Sequence, residues 1–192
     1  MYIFGASGHA RAIIDILDPK VKISGIFDDN SKIEEILGFP VSGPVPDNFV
    51  FDAPLFIAIG NNEGRKFLFE KFSPRTNFGT IVHESALISR YTSIAEGTVV
   101  MEGAIVKVNS HIGKQVIVNT GASVDHDCEV GDFVHIAPQA TLCGGALIGE
   151  GTIVGANSTI LPGVKVGKWC TIAAGAVISR NLPDGAVQKG YG

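Results

Sequence analysis

A branched aliphatic residue recurs at every sixth position through the second half of this 192-residue chain, from Ile88 to Ile178, without a break. A period of six matches neither the 3.6-residue repeat of a helix nor the two-residue alternation of an ordinary strand. It is the signature of a parallel β-helix, in which each hexad contributes one short strand and one turn. The repeating positions are Ile88, Ile94, Val100, Val106, Ile112, Val118, Val124, Val130, Ile136, Leu142, Ile148, Val154, Ile160, Val166, Ile172 and Ile178.

Small residues occupy the fifth position of most hexads, where the chain must round a corner, with Val116, Val134, Val164 and Leu182 as larger exceptions. Glycine supplies 24 of the 192 residues. This is well above its roughly 7% share in average proteins and fits a chain with many tight turns. Three hexads form a triangular coil of about eighteen residues, so the repeat predicts a little over five coils. The alternative, a β-sandwich of short strands, needs loops that would break the register.

Composition and charge exclude several classes of protein. The formal net charge of −4 and the lack of a basic stripe argue against nucleic-acid binding. No apolar run reaches the roughly 18 residues of a membrane span, and the start Met1–Gly5 lacks the basic segment of a signal peptide. The cysteines Cys128, Cys143 and Cys170 are odd in number and lack CxxC spacing. This favours a reducing cytoplasm, with neither disulfides nor a zinc framework.

The first 82 residues show a different pattern, in which short apolar strands alternate with helices. This alternation predicts a small, Rossmann-like α/β domain with a parallel sheet, followed by the β-helix domain over residues 83–192. Ligands of such sheets bind at the carboxyl ends of the strands, where three polar clusters are expected to converge. The clusters are Gly8-His9, Asp28-Asp29 and Gly60-Asn61-Asn62. The predicted strands are 2–4, 23–27, 55–59 and 78–82, and the predicted helices are 11–17 and 63–72.

The glycine turn Gly5–Ala10 joins the first predicted strand to the first helix. A dinucleotide-binding fingerprint would need a third glycine where Arg11 or Ala12 stands. Backbone N–H groups at a helix N-terminus favour an anion, so we expect a phosphate-bearing ligand other than NAD. A tight strand-to-helix connection without a ligand is the alternative.

Five segments together resemble the NeuD/PglD family of sugar acetyltransferases: GASGHA near the start, DD after the second strand, GNNEGR after the third, HESALIS, and VDHDCEVG within the hexads. The resemblance covers nearly the whole chain. It implies an N-terminal domain that binds a nucleotide sugar, a left-handed β-helix, acetyl-CoA as cosubstrate, no metal, and a homotrimer with active sites between subunits. The left hand comes from this resemblance, because most parallel crossovers are right-handed.

The reaction that the resemblance implies is acetylation of the amino group of a nucleotide-linked 4-amino-4,6-dideoxy sugar. Some members of the family O-acetylate sialic acids, and this alternative uses the same base on a different acceptor. A non-catalytic β-helix that binds a nucleotide sugar is a second alternative. A third is a zinc enzyme of the γ-carbonic-anhydrase type, for which His111, His126 and His135 would have to converge.

Histidine is the usual general base near neutral pH, and the segment Asp125-His126-Asp127 places one between two acids, off the inward position of its hexad. A carboxylate beside an imidazole orients the ring and makes it more basic. The resemblance assigns the role of base to His126 and that of its partner to Asp127. A surface histidine among acids is the alternative.

Residues eighteen apart lie about 4.8 Å from one another in adjacent coils, which places Gly144 beside His126. A backbone N–H without a side chain, one coil from the base, can donate to an oxyanion, and the resemblance assigns this role to Gly144. The alternative is that Gly144-Gly145 only fills a corner. A cysteine nucleophile, Cys128 or Cys143, is disfavoured because both are expected where small residues pack the interior.

The resemblance assigns the remaining site residues by their motif positions. Asn119 is assigned to the sugar, near its reacting group, with a buried polar ladder as the alternative. The acetyl-CoA groove is assigned to His135, Gly144, Ala156 and Ala174, and the nucleotide-sugar site to Gly8, His9, Asp28, Asp29 and Gly60. Many members of the family end in a Gly-x-Pro-Ala-Lys-like segment near CoA. This chain reads Gln188-Lys189-Gly190-Tyr191-Gly192 instead, which puts the binding of the adenine end of CoA in question.

Overall fold

A computed structural model of the chain describes residues 1–190 and separates into two compact units, Met1–Thr80 and the chain from Ile81 onward. The sequence predicts a division after residue 82, which is the end of the first strand of the second unit, Ile81–Val82. Tyr191 and Gly192 belong to the C-terminal segment that differs from the family's Gly-x-Pro-Ala-Lys-like sequence, and they lie outside the described residues. Among residues 1–190, no helix combines the length and apolar composition needed to cross a bilayer.

The first unit is a five-stranded sheet with two helices, which confirms the predicted α/β domain. Its elements are β1 Tyr2–Phe4, α1 Gly8–Ile16, β2 Gly25–Phe27, β3 Glu35–Ile36, β4 Phe39–Ser42, β5 Leu55–Ile57 and α2 Asn62–Phe72. The strand order is β3-β4-β2-β1-β5, and every neighbouring pair is parallel except β3 and β4. Helix α1 buries Ala10, Ile13 and Ile16, about one residue per turn. Because β1, β2 and β5 are parallel, their carboxyl ends, and the polar residues that follow them, lie at one edge of the sheet.

The sequence prediction missed the hairpin of β3 and β4. Its turn is Leu37-Gly38, where both residues have positive φ angles of 48° and 81°. Glycine adopts such angles readily, whereas leucine rarely does. The two strands are short and β4 is largely exposed, so neither carries the apolar pattern by which a buried strand is recognised.

The prediction of a last strand over residues 78–82 of the first unit was wrong. Phe78 makes only an isolated bridge to Leu55. Ile81–Val82 pairs instead with Val99–Val100, eighteen residues later, and so begins the β-helix. The physical reason is the hexad register, because Val82 stands one period before Ile88 and takes the coil geometry of the repeat.

The second unit is a left-handed parallel β-helix, as predicted, built from two-residue strands in three parallel sheets. Sheet I contains Leu87–Ile88, Ile105–Val106, Ser123–Val124, Thr141–Leu142, Thr159–Ile160 and Val177–Ile178. Sheet II contains Ser93–Ile94, His111–Ile112, Glu129–Val130, Leu147–Ile148 and Lys165–Val166. Sheet III contains Ile81–Val82, Val99–Val100, Ile117–Val118, His135–Ile136, Ile153–Val154, Thr171–Ile172 and Val187–Gln188. The chain runs from sheet I to II to III and back to I, so a coil has three corners, which we call corner I–II, corner II–III and corner III–I.

The core of the β-helix is the column of inward aliphatic residues together with the small residues of the fifth hexad positions. Val118, Val124 and Ile136 have no exposed surface, and neither do Ala122 and Ala140. Buried hydroxyl groups at the same fifth positions donate to backbone carbonyls, as Thr98 does to Gly113 at 2.8 Å. Buried polar groups are stable only with such partners. The hexad pattern thus predicts both the strands and the interior.

The last coil differs from the sequence prediction. Leu182 was expected at a fifth position, but it pairs with Val166, and Gln188 pairs with Ile172, sixteen rather than eighteen residues earlier. The coil is therefore two residues short. Leu182 occupies the place of an inward residue and packs against the core, because a shortened coil keeps its hydrophobic contacts by advancing the register.

Candidate active site

Corner I–II carries the histidine that the sequence singles out. His126 follows the strand Ser123–Val124, and its side chain is 55% exposed. Its Nδ1 lies 2.7 Å from Oδ2 of Asp127, a distance typical of a strong, charge-assisted hydrogen bond. An Nδ1–H that donates to this carboxylate leaves Nε2 with the lone pair that can accept a proton.

The Asp127 carboxylate has a second donor in the preceding coil. Nδ2 of Asn109 donates to Oδ1 of Asp127 at 2.7 Å. This bond and then the bond from His126 lower the pKa of Asp127, because both favour the ionised form. Each oxygen of the carboxylate is thus tied to a different side chain, and its plane is fixed relative to the imidazole.

The backbone of His126 is held by the other flanking acid. Oδ1 of Asp125 accepts the His126 N–H at 2.8 Å and lies 3.1 Å from Nζ of Lys107 in the preceding coil. The hydrogen bond from His126 and the contact with Lys107 both lower the pKa of Asp125. The two carboxylates that flank His126 therefore bind different parts of it: Asp125 accepts from its backbone N–H, and Asp127 contacts its ring.

Gly144 lies against the imidazole, as the eighteen-residue spacing predicts. A Cβ at this position would lie 2.6 Å from both Cε1 and Nε2 of His126, closer than real side chains approach. The Gly144 carbonyl accepts from the Gly163 N–H at 3.0 Å. Its own N–H has no hydrogen-bond partner within residues 1–190. A free donor beside a free ring nitrogen is an arrangement that suits an oxyanion next to a base.

The cysteines near this corner differ from the expectation in one respect. Cys128 is buried at a fifth position, and burial raises the pKa of its thiol, which disfavours the nucleophilic thiolate. Cys143 does not pack the interior as predicted. It follows the inward Leu142 and is half-buried beside Gly144 on corner I–II, because the second residue of a hexad points away from the core.

The other predicted residues of the β-helix lie on a different corner. Asn119, Ala156 and Ala174 all follow strands of sheet III, on corner III–I, and His135 begins one of those strands. Nδ2 of Asn119 lies 3.0 Å from Nε2 of His135, so these two side chains form one cluster. Ala156 is half-buried and Ala174 is exposed in the same column, one coil apart. Within one chain, the structure therefore brings together two sets of residues, on two corners, and not one.

The polar clusters of the first unit meet at the carboxyl edge of its sheet. A Cβ at Gly60 would lie 4.0 Å from the Cβ of His9. Oδ2 of Asp28 accepts the Ala6 N–H at 2.7 Å, which ties the end of β2 to the loop after β1. Asp29 is exposed. The two adjacent acids therefore differ, one holding the loop and the other facing solvent.

Helix α1 begins at Gly8 with an open N-terminus. Its N-cap residue Ser7 supplies no side-chain hydrogen bond, and the first turn contains no acidic residue. Backbone N–H groups in this state attract an anion. Gly5, just before the helix, has a φ of +114°, and a Cβ there would lie 2.8 Å from the Ala58 carbonyl oxygen. Only glycine fits that position.

Arg65 is a residue of this edge that sequence reasoning did not assign. It is 1% exposed and donates to the carbonyls of Ile59 and Gly60 at 3.0 and 3.2 Å. It also donates to Oδ1 of Asn62 at 2.9 Å. Burial lowers the pKa of Arg65 to about 9. Burial, and then the Arg65 charge, lower the pKa of His9 to about 4, so His9 is neutral at pH 7.

The histidines do not converge as a zinc enzyme would require. His111 belongs to sheet II, where its Nδ1 lies 3.4 Å from Glu129, and His135 belongs to sheet III. In the part of the chain that the structure describes, no group of three or more His, Cys, Asp or Glu side chains could hold a metal ion.

Comparison with known proteins gives matches to both units. A family model of the PglD N-terminal domain matches residues 1–72, and the bacterial transferase hexapeptide model (six repeats) matches residues 145–180. UDP-N-acetylbacillosamine N-acetyltransferase of Bacillus subtilis is 34% identical over 103 residues, which are 50% of this chain and 48% of that protein. The chain thus matches about half the length of this curated relative.

Two solved structures are similar over 97% of the chain. PerB from Caulobacter crescentus, in complex with CoA and GDP-perosamine, is 34% identical over 91% of its own length, with a TM-score of 0.89. The acetyltransferase domain of PglB from Neisseria gonorrhoeae, in complex with acetyl coenzyme A, is 33% identical over 93% of its length, with a TM-score of 0.86. Since this identity extends over nearly the whole of each chain, the protein belongs to the PglD-like family of hexapeptide-repeat sugar acetyltransferases.

Proposed function

We propose that this protein is an acetyl-CoA-dependent N-acetyltransferase that acts on the amino group of a nucleotide-linked 4-amino-4,6-dideoxy sugar. The observation that carries the proposal is the position of the His126 ring, which lies between the Asp127 carboxylate and the backbone of Gly144. The complexes of PerB with CoA and GDP-perosamine, and of the PglB domain with acetyl coenzyme A, support the two kinds of substrate. Because the reaction consumes acetyl-CoA, we also propose a cytoplasmic location.

The chemistry requires a base, an oxyanion donor and a route for the proton. The neutral amine attacks the thioester carbonyl carbon, forming a C–N bond, and Nε2 of His126 accepts the proton that the amine loses. The Gly144 N–H donates to the oxygen that becomes negative, where a preorganised donor is most effective. As the C–S bond breaks, the CoA sulfur leaves and takes the proton from the imidazolium. No acyl-enzyme forms.

Asp127 supports both stages of this cycle. Its carboxylate accepts from Nδ1–H, so that Nε2 faces the amine in the attacking step, and it stabilises the imidazolium between the two proton transfers. The lowered pKa of Asp127 keeps the group ionised at neutral pH. A positioned general base of this kind contributes roughly 10²–10⁴-fold to a rate.

Acetyl-CoA is proposed to occupy a groove formed by corners of two subunits in a homotrimer. The base and Gly144 lie on corner I–II, whereas His135, Ala156 and Ala174 lie on corner III–I. One chain therefore does not place both sets on the same edge. In a closed three-fold assembly, corner I–II of one subunit can meet corner III–I of the next, and each interface then holds one complete site.

The nucleotide sugar is proposed to bind at the carboxyl edge of the first unit's sheet. The open N-terminus of α1 at Gly8 suits a phosphate group, and the exposed Asp29 suits hydroxyl or base N–H donors. His9 and Gly60 line the same edge, while Asp28 holds the loop that shapes it. Asn119 on the β-helix is proposed to contact the sugar near its reacting group.

The experiment that tests the proposal is thiol release from acetyl-CoA in the presence of a set of acceptors. The set is UDP-, dTDP- and GDP-linked 4-amino-4,6-dideoxy sugars, together with sialic acid and CMP-sialic acid. We expect turnover on one amino-sugar nucleotide, which also identifies the nucleobase, and turnover lowered by at least about 100-fold in the His126→Ala variant. Turnover on sialic acids alone would move the protein to O-acetylation, and silence across the set with CoA bound would refute the acceptor class.

A further inference from the structure

Asn109 lies one coil before Asp127, in the same column of corner I–II. Both residues have a φ of 60°, and Gly145 and Gly163 continue the column with φ values of 70° and 69°. The left-handed backbone conformation is therefore a property of this corner, and it is compatible with Asn, Asp or Gly. The β-helix fold by itself requires only this left-handed backbone conformation at position 109.

The Asn109 side chain nevertheless makes a specific contact. Its amide donates to Oδ1 of Asp127 at 2.7 Å, on the carboxylate oxygen that the His126 ring does not use. The other acid of the corner, Asp125, has a cation as its partner in the preceding coil, Lys107 at 3.1 Å. Asp127 has a neutral donor at the equivalent place. A neutral donor orients the carboxylate without neutralising the charge that faces the imidazole.

We propose that Asn109 is a positioning residue for the base, which fixes the plane of the Asp127 carboxylate so that His126 keeps its proton on Nδ1 and presents Nε2 to the acceptor. The proposal rests on the function proposed above. A carboxylate that accepts from a ring N–H fixes the tautomer and orientation of a histidine. Asn109 holds this carboxylate, so it acts on the ring through Asp127 and not by direct contact. Asn109 itself contacts no reacting atom in this scheme.

Two substitutions separate this role from a merely structural one. Asn109→Gly removes the amide and relaxes the backbone, because glycine adopts a φ of 60° without strain. Asn109→Asp keeps the size and tolerates the left-handed conformation, but it places a carboxylate against the carboxylate of Asp127, and like charges disfavour each other's ionised form. A structural role predicts that both variants behave like the wild type.

The positioning role predicts a graded loss of kcat. We expect Asn109→Gly to lower kcat about tenfold, as outer partners of catalytic histidines typically do, with unchanged KM values for both substrates. Asn109→Asp should lose more. The matched control is Lys114→Ala, which removes an exposed contact between coils on another corner, Lys114 to Glu96 at 3.3 Å, and should leave kcat unchanged. Wild-type kcat in both Asn109 variants, or the reverse order of the two, would refute the proposal.

A second measurement does not depend on turnover. Long-range ¹H–¹⁵N NMR of histidine-labelled, ligand-free protein at mildly alkaline pH reports which ring nitrogen of His126 carries the proton, and His126→Ala assigns its signal among the five histidines. We expect the Nδ1-protonated form in the wild type and a mixture of tautomers in Asn109→Gly. An unchanged tautomer would overturn the role of Asn109. A wild type inactive on every acceptor would instead refute the proposed reaction.

Discussion

The imidazole of His126 lies directly against the backbone of Gly144, eighteen residues later in the chain and one coil further along the β-helix. A Cβ at Gly144 would come within 2.6 Å of Nε2 of His126. Two groups with proposed roles are therefore neighbours. They are Nε2 of His126, proposed to accept a proton, and the Gly144 N–H, proposed to stabilise an oxyanion. It exists only because the coil repeats every eighteen residues and because position 144 has no side chain.

Gly144→Ala is expected to displace the His126 ring and lower kcat about 100-fold, since a misplacement near 1 Å costs on this order. The φ of Gly144 is not in the left-handed region, so alanine adds a clash without adding backbone strain. Steady-state kinetics and the melting temperature measure the two effects separately. Gly43→Ala, where a Cβ would meet nothing within 4 Å, is the control. A Gly144→Ala enzyme with normal kcat would show that the ring is not held in place.

Asp127→Asn is expected to lower kcat by at least about 100-fold while leaving the β-helix intact. The amide can no longer accept from Nδ1–H as an anion, and it loses the charge that stabilises the imidazolium. His126→Ala should lose roughly 10²–10⁴-fold, the range of a general base. The check is a comparison of kcat for the two single variants and the double variant. Losses that simply multiply would argue against a coupled pair, because residues that act as a unit are not additive.

Mixed trimers test whether each site draws on two subunits. His126→Ala removes the proposed base on corner I–II, and Ala156→Trp fills the proposed groove on corner III–I, so each variant alone should lose nearly all of its activity. When the two are co-expressed with different tags, a doubly tagged trimer contains one interface with both native corners. We expect such trimers to recover about one third of wild-type activity. Absence of any recovery would mean that each subunit holds a complete site.

The two adjacent acids of the first unit should separate in their effects. Asp29→Asn is expected to raise KM for the nucleotide sugar several-fold, with kcat and the KM for acetyl-CoA unchanged, since this carboxylate is exposed and free to bind. Asp28→Asn should also lower the melting temperature, because Asp28 accepts from Ala6 and Asn30 at 2.7 and 2.8 Å. Initial rates with each substrate varied in turn provide the measurement. Equal losses toward both substrates in Asp29→Asn would contradict two separate sites.

His9 should make stability depend on pH in one window. Its folded pKa is about 4, below the ordinary value of 6.5, because of burial and then the charge of Arg65. Between these values the unfolded chain binds more protons, so stability falls as the pH drops from about 6.5 to about 4, and the contribution levels off below that. The loss is on the order of 3 kcal/mol at most. Urea unfolding across this range should show a shallower pH dependence for His9→Gln, and parallel curves would contradict the shift.

Much of the β-helix follows from the sequence alone, because its period is local and uninterrupted. The inward aliphatic residues, the small fifth positions and the stacking of Gly144 on His126 all come from counting residues, since the coil length is fixed by three hexads. The same counting separates Asn119 from His126, which stand seven residues apart and therefore on successive corners. The shortened last coil could not be found this way, because the register advances where the chain changes pattern near Leu182.

The tertiary structure decided what depends on contacts between distant side chains. The partnership of Asn109 with Asp127 has no local signal, because an asparagine at a corner is equally explained by its backbone conformation. The sequence analysis assigned no role to Arg65, yet this residue is buried, and burial followed by the Arg65 charge lowers the pKa of His9. A repeat determines its own geometry at short range, whereas burial and hydrogen-bond partners depend on which parts of the chain meet. The sequence therefore determined the coil and the place of His126 in it, and the fold decided how the ring of the proposed base is held.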